Sequence, residues 1–240
     1  MNEAKDLTLQ GHLRELRQRL IRSLFAVVIG TMVCFVFYQW LFYFLMQPSG
    51  GIELIYIEMT EMLGTVMKVC VWGGVMLAMP YLVYQVIMFI SPALHKKEKK
   101  YVYMALPLIA LMFLGGVLFA YFVLVPPALR FLLTFGSDIA TPQIKVGNYI
   151  SIVTRLMLSV GIVFELPVIT TFLASLGILK PAWLADKRKV AIVGAFIIAA
   201  IITPTFDPVN QCLVALPLIV LYEMSIWLAK IVYRPGVFTQ

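Results

Sequence analysis

Two carboxylates stand in strongly basic stretches of this sequence. Glu15 lies within HLRELRQRL, residues 12–20, and Glu98 lies within ALHKKEKK, residues 93–100. On a helix, Glu15 can form an ion pair with Arg19 four positions later, which stabilises the helix by about 0.2–0.5 kcal/mol. Glu98 can simply dilute the positive charge of the lysines around it. The residues alone leave these structural explanations open beside a binding role.

A third carboxylate falls inside an apolar run. Glu165 lies in GIVFELPVITT, two positions before Pro167. A charge near the centre of a bilayer costs on the order of 3 kcal/mol, so we expect this side chain to face a cavity or a partner, or to be protonated. A structural hydrogen bond to a neighbouring helix and a functional role are both open.

Two further acids are secondary candidates. Glu223, in LYEMS, lies nearer the end of an apolar run and could reach the cytoplasmic interface. Asp207, in TFDP, is typical of a turn residue before a proline and is expected in an outer loop.

The constellations of enzyme chemistry are absent from this sequence. The two histidines, His12 and His95, lie in charged segments, and neither G-x-S-x-G nor H-E-x-x-H occurs. The cysteines, Cys34, Cys70 and Cys212, stand singly in apolar runs and are expected to be small buried side chains. We therefore expect no enzyme activity, no metal site and no cofactor.

The elements that must position these acids are transmembrane helices. The chain of 240 residues is 62% hydrophobic and 13% charged, with a mean hydropathy of +0.94, whereas soluble domains are about 25% charged. Backbone in lipid must satisfy its own hydrogen bonds, which favours helices. We predict an all-α membrane protein forming a single integral membrane domain, 1–240, without a cleavable signal peptide. The six predicted spans are 21–46, 62–90, 101–125, 150–176, 189–203 and 210–232.

The basic residues predict the orientation of these spans. Fifteen of the 19 lysines and arginines fall in the two terminal segments and in the loops after the second and fourth runs. By the positive-inside rule both termini are cytoplasmic and the number of spans is even. The net charge of +7 is mostly this orientation signal, so a nucleic-acid partner is not expected.

Length and proline content predict the shape. The last two spans look short, and VAIVGAFIIAAII, residues 190–202, would rise only about 20 Å against a hydrocarbon core of about 30 Å. PPALRFLLTF, residues 126–135, is amphipathic and predicts a short helix along the interface. Prolines bend helices, and four of them inside apolar runs indicate a curved wall: Pro80, Pro107, Pro167 and Pro217.

The sequence resembles the TatC family over nearly its whole length. The segments that carry the resemblance are HLRELRQRL (12–20), YQVIMFISPALHKKEKK (84–100), FAYFVLVPPALRFL (119–132), GIVFELPV (161–168) and GAFIIAAIITP (194–204). The resemblance implies the receptor subunit of the twin-arginine protein translocase, a multi-pass protein of the cell inner membrane with a concave, cup-like shape. It implies binding of signal peptides that carry an arginine pair, export of folded proteins driven by the proton motive force, single-span TatA-type and TatB-type partners, and self-association.

The resemblance also assigns roles to residues. Glu15 and Glu98 match the acids that would each take one arginine of the pair, because a guanidinium prefers a planar carboxylate partner. Leu16, Arg17 and Phe89 are expected at the same signal-peptide site. Glu165 would contact a polar residue of a partner helix or of the inserted signal peptide.

The sequence offers one more candidate residue and one alternative function. Pro48, which begins the first outer loop, is a structural or secondary candidate together with Asp207 and Glu223. The alternative function is a proton-coupled secondary transporter that uses Glu165 as its midplane carboxylate.

Overall fold

The computed structural model describes residues 9–50, 53–90, 99–135, 143–203 and 208–233. Within these ranges the only β-structure is one isolated bridge between Ile55 and Lys145, which confirms the all-α class. The described residues form ten α-helices: α1 Leu9–Val36, α2 Tyr38–Met46, α3 Glu61–Ile90, α4 Lys99–Phe119, α5 Val125–Thr134, α6 Val146–Phe164, α7 Leu166–Ser175, α8 Pro181–Asp186, α9 Arg188–Ile202 and α10 Pro208–Val232.

Five helical segments of the described chain are long and apolar enough to cross a membrane. They are Leu13–Val36, Glu61–Phe89, Leu106–Thr134, Val146–Ser175 and Pro208–Val232. The remaining predicted span is α9, whose 15 residues rise about 22 Å, as short as the sequence predicted.

The expectation of a short last span is wrong. Helix α10 has 25 residues, because it begins at Pro208 and continues through Asn210 and Gln211 before the apolar run. Proline is well tolerated in the first turn of a helix, where its missing N–H would have no partner. The polar residues therefore lengthen the helix instead of ending it.

Two predicted spans are each divided into two helices. The first breaks at Phe37, between α1 and α2, and the fourth breaks at Glu165, between α6 and α7. Pro167 has no N–H to donate one turn back, and the Glu165 N–H donates to the Ile162 carbonyl at 3.1 Å. Of the four prolines predicted to bend spans, Pro167 thus lies just after a break, whereas the other three lie inside α3, α4 and α10.

The helix predicted over residues 126–135 is present as α5, but it is not a separate element. A π-helical turn, Ala120–Leu124, joins α4 to α5 without a loop. Two consecutive prolines at the start of α5 remove two backbone donors, and a π-turn is a common way to absorb such a defect. The orientation of α5 along an interface stays a prediction.

Glycines allow two pairs of helices to approach closely. A Cβ on Gly30 of α1 would lie 2.7 Å from the carbonyl oxygen of Gly74 in α3. A Cβ on Gly116 of α4 would lie 2.9 Å from the Cα of Gly161 in α6. Small residues bring membrane helices into contact in this way. The α1–α3 and α4–α6 contacts are among the most extensive of the fold.

Among the described residues the apolar core has three parts. The largest surrounds α6 and includes Tyr149, Ile150 and Val153. A second lies between α3, α4 and α7, and a third joins α7, α8 and α10. Helix α1 packs along α3 and leaves most of its apolar side chains exposed, which suits a helix surrounded by lipid.

Candidate functional site

Glu15 is bound to an arginine of its own helix. Its Oε1 accepts hydrogen bonds from Nε and Nη2 of Arg19, at 2.9 and 2.6 Å. The pair lies one turn apart on α1, so the i,i+4 ion pair expected from the sequence is present. The Glu15 side chain is 29% exposed and the Arg19 side chain is 17% exposed, so the pair is partly buried.

The pair continues into a network that joins α1 to α3. Arg19 Nη1 donates to Gln85 Oε1 at 3.0 Å, and Gln85 Nε2 donates to the Tyr81 hydroxyl at 2.5 Å. Gln85 is buried, and buried polar groups are normally hydrogen-bonded. Sequence reasoning missed Gln85, although a polar residue inside the apolar run YLVYQVIMF was a usable signal.

The other predicted binding residues lie on the same two helices. Phe89 is half-buried on α3, one turn after Gln85 and two turns after Tyr81, so the three share a face. Leu16 and Arg17 are exposed on α1, next to Glu15. The structure therefore brings Glu15 to the helix that carries Phe89. Glu98 and Asp207 lie outside the described residues.

Glu165 is buried at the break between α6 and α7. Its side chain is 1% exposed, and neither carboxylate oxygen has a hydrogen-bond partner among the described residues. The side-chain hydrogen bond considered from the sequence is thus not found in the described part of the chain. An unpaired buried acid is costly, so this one needs a proton, water or a partner.

Glu223 is held in a two-point ion pair with Arg188. The Arg188 Nε lies 2.7 Å from Glu223 Oε1, and its Nη2 donates to Oε2 at 2.9 Å. Both side chains are more than a third exposed. The pair ties the first turn of α9 to α10.

Pro48 lies in a short 3₁₀ turn, Gln47–Ser49, that follows α2. Proline cannot donate to the carbonyl of Phe44 four positions earlier. The Gln47 N–H donates to this carbonyl in its place. Two tyrosine hydroxyls also bind the end of α2: Tyr121 donates to the Phe44 carbonyl at 2.7 Å, and Tyr149 donates to the Leu45 carbonyl at 2.8 Å. Pro48 thus belongs to a structural junction.

Among the described residues, no group of three His, Cys, Asp or Glu side chains could hold a metal ion. Cys34 and Cys70 are buried as expected, but Cys212 is exposed, so the expectation for Cys212 is wrong. Lipid is as apolar as a protein core, and an apolar context therefore does not reveal which side of a membrane helix faces inward.

These long apolar helices and the polar groups between them define a multi-pass helical membrane protein. Residues 11–217 match the family model of the Sec-independent protein translocase protein (TatC). The TatC protein of Carboxydothermus hydrogenoformans is 38% identical over 239 residues, covering 99% of this chain and 98% of the relative. That of Aquifex aeolicus is 42% identical over 234 residues, covering 95% of this chain and 97% of the relative.

Solved structures agree with the sequence comparisons. A crystal structure of the twin-arginine translocase receptor TatC superposes with a TM-score of 0.79 at 42% identity, covering 93% of this chain and 100% of the other. The chain therefore belongs to the TatC family, which confirms the resemblance seen in its motifs. It is a membrane component of a protein-transport system, and its family is not an enzyme family.

Proposed function

We propose that this chain is the receptor for twin-arginine signal peptides and the core scaffold of the Tat translocase. In this role it takes part in the export of folded proteins across the cytoplasmic membrane, driven by the proton motive force. The structures that it resembles are described as the twin-arginine translocase receptor. The observation in this chain that supports the proposal most directly is Glu15, whose carboxylate holds a guanidinium through two hydrogen bonds.

The proposed recognition rests on the chemistry of arginine. A guanidinium is always charged, and its planar set of donors matches the acceptors of a carboxylate, whereas an ammonium is a compact point charge. Glu15 and Glu98 would each take one arginine of the pair, with Leu16, Arg17 and Phe89 around them. The lysines and arginines nearby would repel basic peptides that cannot use these carboxylates.

We further propose six spans in one membrane domain, 1–240, of the inner membrane, with both termini in the cytoplasm. The distribution of basic residues supports this orientation. The breaks and prolines in the helices support a concave, cup-like shape. Helix α9 would be the fifth span, and the bilayer would thin around it.

Glu165 is the proposed contact for partners within the membrane. It is buried and lacks a hydrogen-bond partner in the described part of the chain, so a polar group of another helix would satisfy it. The candidates are single-span TatA-type and TatB-type subunits and the inserted signal peptide. Self-association of this chain within the complex belongs to the same proposal.

Site-specific photocrosslinking tests the receptor function. A crosslinker at position 15 or 98 should capture a twin-arginine signal peptide in membranes, and a crosslinker at position 53, on the proposed outer side, should not. Replacing the peptide arginines by lysines should abolish the product. The secondary transporter that uses Glu165 receives no support from the comparisons, and it predicts no product at either position. Absence of a product at both positions contradicts the receptor.

A further inference from the structure

The Arg19 guanidinium is engaged at all three of its nitrogens. Nε and Nη2 donate to Glu15, and Nη1 donates to Gln85. A carboxylate and an amide oxygen thus face one guanidinium from two helices. These are the acceptor types that recognise an arginine from another molecule.

The acceptor on α3 is held in place. Gln85 is 5% exposed, and its Nε2 donates to the Tyr81 hydroxyl. A guanidinium can only donate, so Oε1 is the end of the amide that faces Arg19, while the Tyr81 hydroxyl accepts from Nε2. Gln85 is therefore oriented as an acceptor for a guanidinium, and its second hydrogen bond, to Tyr81, helps to hold the amide in place.

We propose that Glu15 and Gln85 together form an arginine-binding site, which Arg19 occupies when the receptor is empty. An arginine of the signal peptide then binds by replacing Arg19. This inference rests on the proposed receptor function. It adds Gln85 as a ligand of the peptide and Arg19 as its internal competitor.

Exchange of Arg19 for a peptide arginine explains how the partly buried carboxylate of Glu15 stays paired before the peptide binds. An unpaired carboxylate in this position would be costly, and Arg19 removes that cost while the site is empty. Arg19 has a long, flexible side chain on a part of α1 with exposed neighbours, so it can move into water once it is displaced. The incoming group must restore the contacts that Arg19 gives up, and a lysine ammonium cannot reproduce three nitrogens in one plane.

Internal competition lowers the affinity of every peptide for this site by the same factor. Removing the competitor should therefore tighten binding, whereas removing a residue that merely supports the site should weaken it. Tighter peptide binding by an Arg19 variant therefore indicates that Arg19 is a competitor, and weaker binding indicates that it supports the site.

The experiment measures the Kd of a fluorescent twin-arginine signal peptide for the full chain in nanodiscs. We expect Arg19→Gln to tighten binding roughly two- to fivefold, the upper part of the range for losing one ion pair near the protein surface. Arg22→Gln is the matched control, because Arg22 is exposed on the same helix and its loss changes the net charge equally. The increase in peptide affinity for Arg19→Gln must exceed any increase for Arg22→Gln.

Two further variants locate the effect. In a Glu15→Gln background, Arg19→Gln should not tighten peptide binding, because the carboxylate for which Arg19 and the peptide arginine compete is absent. In an Arg19→Gln background, Gln85→Ala should weaken binding severalfold, because the peptide arginine loses an acceptor. If Arg19→Gln fails to accumulate, Arg19→Lys replaces it, and a smaller gain over the control is expected.

The outcomes separate this inference from the receptor function. If the wild-type chain does not distinguish the twin-arginine peptide from a twin-lysine peptide, or if Glu15→Ala binds normally, the receptor site itself is wrong. If both of those tests succeed but the Arg19 variants bind no more tightly than Arg22→Gln, the exchange is wrong. Weaker binding by a folded Arg19→Gln variant would make Arg19 a positioning residue for Glu15.

Discussion

At the scale of single residues, the two central acids differ in how their charge is satisfied. Glu15 holds a guanidinium and is partly open to solvent, whereas Glu165 is enclosed and has no hydrogen-bond partner among the described residues. The first arrangement suits exchange with a soluble cationic ligand. The second suits a polar group that arrives within the membrane.

Removing either proposed receptor acid should weaken signal-peptide binding. We expect Glu15→Ala and Glu98→Ala each to cost about 1.5–3 kcal/mol, the range for hydrogen bonds to charged groups. The corresponding Gln variants should lose nearly as much, because they keep the size but not the charge. Peptide titration in nanodiscs measures the loss, with exposed Glu53→Ala as the control. Normal binding and export by both Ala variants would mean that the acids only adjust local charge.

Replacing Glu165 should separate recognition from transport. We expect Glu165→Gln to be tolerated better than Glu165→Ala, because an amide can still hydrogen-bond with a partner. Peptide crosslinking at position 98 should survive both changes, while export measured in the same membranes falls. Normal export by Glu165→Ala would contradict the partner contact. Loss of the protein, or of crosslinking at 98, would show that Glu165 is structural.

At the scale of helices, close approach and hydrogen bonds between elements decide where side chains can go. Gly116 and Gly161 bring α4 against α6 just before the break at Glu165. Tyr121 and Tyr149 bind the carbonyls at the end of α2. Each feature makes a prediction about stability that does not depend on the transport function.

Adjacent glycines in α4 give a matched pair of substitutions. A Cβ on Gly116 would lie 2.7 Å from Phe164 Cγ and 2.9 Å from the Gly161 backbone, whereas a Cβ on Gly115 meets nothing within 4 Å. We expect Gly116→Ala to destabilise the fold by about 1–3 kcal/mol through overpacking. Gly115→Ala should be neutral or slightly stabilising. Thermal unfolding in detergent compares the two, and equal Tm values would contradict the close α4–α6 contact.

The hydrogen bond from Tyr149 of α6 to the end of α2 should also have a measurable effect on stability. Tyr149→Phe leaves the Leu45 carbonyl without its hydroxyl donor in a buried site. We expect a loss of about 1–2 kcal/mol in the free energy of unfolding. Tyr43→Phe is the control, since Tyr43 is an exposed tyrosine. If the two variants unfold alike, the hydrogen bond contributes nothing to stability.

At the scale of the whole molecule, the sequence predicts the helices better than their contacts. Apolar runs locate the helices because lipid forces the backbone into them, and Glu15 with Arg19 follows from helical spacing. The apolar pattern does not locate the break at Phe37, nor does it show that Cys212 faces outward, since core and lipid are equally apolar. Gln85 was missed because a neutral amide in an apolar run stands out less than a carboxylate.

The orientation of the whole chain in the membrane depends on the short helix α9. Its 15 residues are fewer than the roughly 20 that a span usually needs, so whether it crosses decides between an even and an odd number of spans. We expect single cysteines at positions 187 and 209, on either side of α9, to react with an impermeant thiol reagent from opposite sides of the membrane. Position 209 should react in intact cells with a permeable outer membrane, as should position 53, and position 187 only after lysis. The native cysteines must be replaced first, above all the exposed Cys212. Labelling of 187 and 209 from the same side would place α9 on one face of the membrane and put the two ends of the chain on opposite sides.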